Sequence, residues 1–102
     1  MSTFTYSTAV PPGVISLMKH FIGLDYKKPD KNGRYEAYRN YFAGKEHSSD
    51  WEILEKHQLI EQVGNDLYKL SLSGIYCLQA YLDIKISFRD KGDCPKGWVE
   101  EE

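Results

Sequence analysis

Between residues 26 and 39 the chain interleaves cations with aromatic rings. Lys27, Lys28, Lys31, Arg34 and Arg39 stand among Tyr26, Tyr35 and Tyr38. Lysine and arginine neutralise phosphates, and a tyrosine ring packs on a sugar or a base. This mixture in one stretch therefore suits nucleic-acid binding, with Lys27, Lys28, Lys31, Arg34, Tyr35 and Arg39 as the candidate contacts. The same composition also describes a solvated loop beside an aromatic core face.

The charge distribution sharpens the choice. From Lys19 to Lys45 seven basic residues face three acids, a net of +4, whereas Glu46 to the end carries six basic and twelve acidic residues, a net of −6. A total of −2 gives no whole-molecule attraction to nucleic acid, so any such contact belongs to the first half.

Other chemistries find little support. His20, His47, His57, Cys77 and Cys94 lack paired C-x-x-C or H-x3–5-H spacing, so neither a metal site nor a cofactor is expected. There is no Gly-rich phosphate loop, nucleophile elbow or H-E-x-x-H, and an enzyme is not expected. A second class is protein binding. Eight tyrosines in 102 residues, with Trp98 near an end of three glutamates, suit an interface, because tyrosine and tryptophan anchor such surfaces. Tyr38, Glu52, Glu55 and Trp98 are the candidate contacts there.

These side chains need positioning elements. Length predicts one domain, divided into an extended arm over residues 1–11, a folded body over 12–88 and a tail over 89–102. Phe4 and Tyr6 of the arm could pack on the body. Pro11-Pro12-Gly13 opens a helix in which Val14, Leu17, Met18 and Phe21 recur at helical spacing, and Gly23 ends it in a left-handed cap. Asp25–Arg34 reads as an exposed loop, or a small hairpin around Asn32-Gly33. Glu36–Ala43 reads as a second helix with Tyr38, Tyr41 and Phe42 on one face.

Ser49 or Asp50 caps a third helix that buries Trp51 and Leu54 and ends near Gln58. Strands over Leu59–Val63 and Asp66–Leu70 flank a tight turn at Gly64-Asn65. Ser71 caps a fourth helix with Ile75, Leu78 and Leu82 inside, and Cys77 reads as a small buried hydrophobe. Ile84, Ile86 and Phe88 alternate with Lys85 and Ser87, as in a strand or a frayed helix end. Trp98 must dock on the body or sit in an interface. The fold class is mainly α with a small β-hairpin, an α+β arrangement. Two cysteines and no signal-like start suggest reduced thiols in a cytoplasm, and no stretch of sequence is apolar for long enough to cross a membrane.

The run Trp51, Leu54-Glu55-Lys56-His57-Gln58-Leu59-Ile60, then Tyr68-Lys69-Leu70-Ser71-Leu72-Ser73-Gly74, resembles the recognition-helix, wing and following-helix segment of winged helix-turn-helix proteins. Leu54, Glu55, Leu59, Ile60, Tyr68, Leu70 and Gly74 match "L-E-x-x-G-L-I" and "Y-x-L-T-x-x-G"; Ser71 replaces threonine, and Gln58 stands where glycine is usual. The match covers about a third of the chain. Phe21–Pro29 with Tyr38–Phe42 more loosely resembles small bacteriophage and prophage proteins, which implies a mobile-element origin in a bacterial host cell. The winged-helix resemblance implies a DNA-binding protein, as a regulator or accessory factor and as a dimer.

In such a protein the Asp50–Gln58 helix would enter the major groove. Asp50, Glu52 and Glu55 against Lys56 make that helix acidic, and the tip Gly64-Asn65-Asp66 carries no cation. The expectation is therefore DNA binding through the basic loop. The alternative is an inhibitor or adaptor that binds a host protein, such as a defence factor, through Tyr-rich and acidic surfaces.

Overall fold

The computed structural model describes residues 10–99. The arm expected over residues 1–11, with Phe4 and Tyr6, lies outside the described residues apart from Val10 and Pro11, and so do the last three glutamates. The described chain is a compact α+β fold of three α-helices and two small sheets, with a radius of gyration of 12.8 Å.

Helix α1 (Pro12–Phe21) begins on proline, whose missing N–H would have had no helical partner. It buries Val14, Ile15, Met18 and Phe21. Its end is the left-handed cap expected at Gly23. With φ +76, this residue lets the Leu24 N–H reach the Lys19 carbonyl at 2.9 Å. A side chain at Gly23 would also strike the Tyr38 ring.

The helix expected over Glu36–Ala43 does not form. Arg34–Ala37 is strand β1, and Phe42–Ala43 is the short strand β2. Tyr38, Tyr41 and Phe42 imitate helical spacing, but Tyr35 and Ala37 point inward while Arg34 and Glu36 point out, which is the period of a half-buried strand. No hairpin forms at Asn32-Gly33. The partner of β1 is a parallel strand, β5 (Lys85–Phe88), in register Tyr35 with Ile86 and Ala37 with Phe88. The alternation at residues 84–88 thus resolves as a strand, with Ile86 and Phe88 buried.

Helix α2 (Ser49–Lys56) is capped one residue earlier than expected, by Ser48, whose hydroxyl accepts the Trp51 N–H at 3.2 Å. At its other end Gln58 adopts φ +56, the conformation glycine would take there, and the Leu59 N–H bonds back to the Leu54 carbonyl at 2.9 Å. Strands β3 (Ile60–Gly64) and β4 (Leu67–Leu70) form the hairpin, and β2 pairs with the far edge of β4 in the order β2-β4-β3. The turn is Asn65-Asp66 rather than Gly64-Asn65. A register shift between Gln62 and Gly64 leaves Gly64 paired with Leu67 and puts Asp66 in the left-handed region.

Helix α3 (Leu72–Leu82) starts from Ser71 as expected. The Ser71 hydroxyl accepts the Gly74 N–H at 3.2 Å and donates to the Gln58 carbonyl at 2.7 Å, so one side chain ties the end of α2 to the start of α3. A Cβ at Gly74 would collide with the Leu59 carbonyl oxygen, so that position has no room for a side chain.

The core closes around Trp51, fully buried among Phe21, Phe42 and Tyr68 with ring centroids 5.2–6.0 Å away. Leu54, Leu70, Ile75 and Leu78 are among the other residues buried in it. Cys77 is buried there, and burial pushes its thiol up. Residues 89–99 run back over the body. Asn40, buried and missed in the sequence, holds that return. Its amide accepts the Leu70 N–H at 3.0 Å and donates to the carbonyls of Leu70 and Asp93 at 3.3 and 3.0 Å. Trp98 docks edge-on against Phe88, 5.1 Å between centroids, and beside Tyr76. Among the described residues no helix is long and apolar enough to cross a membrane.

Candidate nucleic-acid interface

The end of α1, the loop that follows it and the segment after β1 meet at Arg39. This side chain is 20% exposed, and its guanidinium carbon lies 5.9, 5.5 and 5.8 Å from the ring centres of Tyr26, Tyr38 and Tyr41. A cation against the negative face of a ring is favourable, and more so when partly desolvated. The guanidinium also donates to the His20 carbonyl at 2.8 Å, satisfying one of the last-turn carbonyls of α1 where the helix dipole favours positive charge. Among the described residues its buried Nε has no hydrogen-bond partner.

The loop is clasped at a second point. The His20 Nδ1 lies 2.7 Å from the Asp25 carboxylate, and Arg39 approaches that carboxylate at 4.0 Å. Partial burial pushes the Asp25 carboxyl up. The His20 hydrogen bond, the backbone N–H and the charges of His20 and Arg39 outweigh that effect and leave it below its ordinary range. Farther along, the Asp30 carboxylate accepts the N–H groups of Arg34 and Asn32, which shapes the turn carrying Lys31 and lowers its own pKa.

Above this frame the rings and cations are presented outward. Tyr26 is 74% exposed and Tyr41 48%. The Lys27 ammonium stands 5.1 Å from the centre of the Tyr38 ring, which also meets Gly23 and Arg39. Two clefts open beside the cluster. One, of about 450 Å³, runs past Ser16, Lys19, His20 and Glu46; the other, of about 300 Å³, is lined by Lys27 and Lys28 with Tyr26 and Leu82. Lys19 and Asp25 belong to both.

The residues expected to bind nucleic acid are thus divided. Lys27 and Arg39 share the Tyr38 ring, and Lys28 lines a cleft with Lys27 and Tyr26, while Arg39 anchors the three rings. Lys31 sits at the Asp30–Gly33 turn, and Arg34 faces outward on β1 opposite Lys85. Tyr35 leaves the set. It is only 4% exposed and its hydroxyl donates to the Ile22 carbonyl at 2.7 Å, because the inward phase of β1 turns it into the core. Burial pushes its phenol up to about 12.

Among the residues expected at a protein interface, Tyr38 belongs to the Arg39 cluster. Glu52 and Glu55 are exposed on α2, with Glu55 3.4 Å from Lys45. Trp98 is half-buried on Phe88. Two contributors escaped sequence reasoning. The spacing of Tyr41 imitates a helix face, and the His20–Asp25 clasp carries only the weak signal of two polar groups either side of a glycine cap. Among the described residues no three His, Cys, Asp or Glu side chains gather closely enough to hold a metal ion. Comparison with protein-family models, curated proteins and solved structures finds no match to this chain.

Proposed function

We propose that this chain is a non-enzymatic DNA-binding protein, regulatory or accessory, that contacts DNA through the surface centred on Arg39. The observation that carries this reading is the arrangement of three tyrosine rings around one guanidinium, with Lys27 against Tyr38 and Lys28 beside it. Rings fixed on a cationic base offer stacking surface and phosphate neutralisation together.

A winged-helix origin is supported by the succession of α2, the β3–β4 hairpin and α3, with Ser71 capping as the resemblance implies. In that setting α2 is a poor groove reader. Glu52 and Glu55 are exposed on it and Asp50 lies in its first turn, so its surface repels phosphate.

The test is fluorescence anisotropy of a labelled mixed-sequence DNA at about 50 mM salt, where backbone contacts are strongest. Binding should weaken steeply as salt rises, and the Lys27→Ala, Lys28→Ala double variant should flatten the salt slope by about two contacts. No binding at low salt would end this reading. A second reading, a module that binds a host protein, is favoured by exposed Tyr76 and Val99 beside Trp98. A pulldown from bacterial lysate that recovers nothing above background would count against it.

A further inference from the structure

We infer that the nucleic acid taken by the Arg39 surface is single-stranded, with unpaired bases stacking on Tyr26 and Tyr41. This rests on the nucleic-acid reading above and narrows it to one class of ligand. A duplex hides the flat faces of its bases and offers only groove edges and phosphates. Its sequence is read by an element that enters a groove, most often a helix or a two-stranded ribbon in the major groove. Among the described residues, α2 and the β3–β4 hairpin are poorly suited to that task. The exposed side chains of α2 include Glu52 and Glu55, and the tip of the β3–β4 hairpin, Gly64-Asn65-Asp66, has no cation to hold a phosphate.

What the surface does supply is flat aromatic area held in place. Tyr26 and Tyr41 leave 74% and 48% of their surface in solvent, and each is backed by the Arg39 guanidinium. Their ring centres lie 5.9 and 5.8 Å from the same carbon, so they stand no more than about 12 Å apart. A few nucleotides of one strand cover that span, since a stacked strand advances about 3.4 Å per nucleotide. The rings are also pre-set. Arg39 is tied to the His20 carbonyl at 2.8 Å, Asp25 is clasped by His20 at 2.7 Å, and the neighbouring Tyr38 ring is seated on Gly23. A strand therefore meets rings that rest on a fixed guanidinium, with Lys27 and Lys28 on the same loop for its phosphates. Stacking of this kind tolerates any sequence, because every base has a face.

The experiment compares four labelled 20-nucleotide probes with the full chain at about 50 mM salt: a mixed-sequence DNA strand, its RNA counterpart, and each annealed to a complementary strand. The single strands should bind at least tenfold more tightly than the duplexes, and the DNA and RNA arms identify which strand is preferred. Tyr26→Ala and Tyr41→Ala should each weaken single-strand binding by about tenfold, leaving the salt slope unchanged, while Tyr26→Phe retains affinity because the ring remains. Circular dichroism should show both alanine variants folded, as expected for exposed side chains. Equal or tighter duplex binding overturns the inference while leaving the nucleic-acid reading standing. So does single-strand affinity within twofold of the parent in both alanine variants. If no probe binds, the nucleic-acid reading itself fails and the inference falls with it.

Discussion

Arg39 reaches back nineteen residues to donate a 2.8 Å hydrogen bond to the carbonyl of His20. The bond joins the segment after β1 to the C-terminal turn of α1, and it fixes the one cation around which three tyrosines gather. A single side chain thus carries both a helix end and a surface.

Arg39→Ala should lower stability by about 2 kcal/mol, since a charged hydrogen bond to a part-buried carbonyl and the contacts with the rings are lost together. Arg39→Lys should recover less than half of that, because an ammonium cannot serve a carbonyl and several ring faces as a planar guanidinium does. Urea unfolding with an unchanged m-value measures both. Full recovery by lysine would mean that charge alone matters.

Gly23→Ala combines a left-handed backbone with a clash against the Tyr38 ring. A loss of about 2–3 kcal/mol is expected in the same assay, along with displacement of Tyr38 from the cluster. A loss below about 0.5 kcal/mol would contradict both the backbone strain and the clash with the ring.

Gln58→Gly should act in the opposite sense. Gln58 holds φ +56 at the end of α2 with an exposed side chain, so glycine relieves backbone strain. The greater freedom of glycine in the unfolded chain offsets part of the gain and leaves a net stabilisation of about 0.5–1 kcal/mol. A thermal melt at neutral pH reads the sign; a lower Tm would contradict the strain account.

Tyr35 links stability to alkaline pH. Its folded pKa is raised to about 12, above an unfolded value near 10. Below pH about 10 both states are neutral and the contribution is complete. As pH rises towards about 12 the unfolded chain loses its proton first, so stability falls across that window. Tyr35→Phe should be less stable at neutral pH by about 1 kcal/mol, through loss of the hydrogen bond to Ile22, yet show a shallower alkaline decline. Parallel declines in parent and variant would remove Tyr35 as the cause.

The elements built from local signals could be read in the sequence: α1 from its spacing and Gly23, α3 from Ser71 and its apolar stripe, and the hairpin between them to within a residue. The β1–β5 pair could not. Tyr35 meets Ile86 some fifty residues later, and that pairing overrides the helix-like spacing of Tyr38, Tyr41 and Phe42. The candidate site was half legible for the same reason. Lys27 and Lys28 stand out by composition alone, but the burial of Tyr35 follows from the phase of a strand that only its distant partner fixes. Asn40, which pairs like a strand residue with Leu70, has no local signature at all.

Backbone amide NMR during titration with an unlabelled mixed-sequence DNA strand tests the central claim most directly. The account predicts saturable shifts at Gly23–Lys28 and Tyr38–Tyr41, with the amides of α2 unmoved. Shifts centred on Asp50–Lys56, with Tyr26 and Tyr41 unaffected, would contradict it.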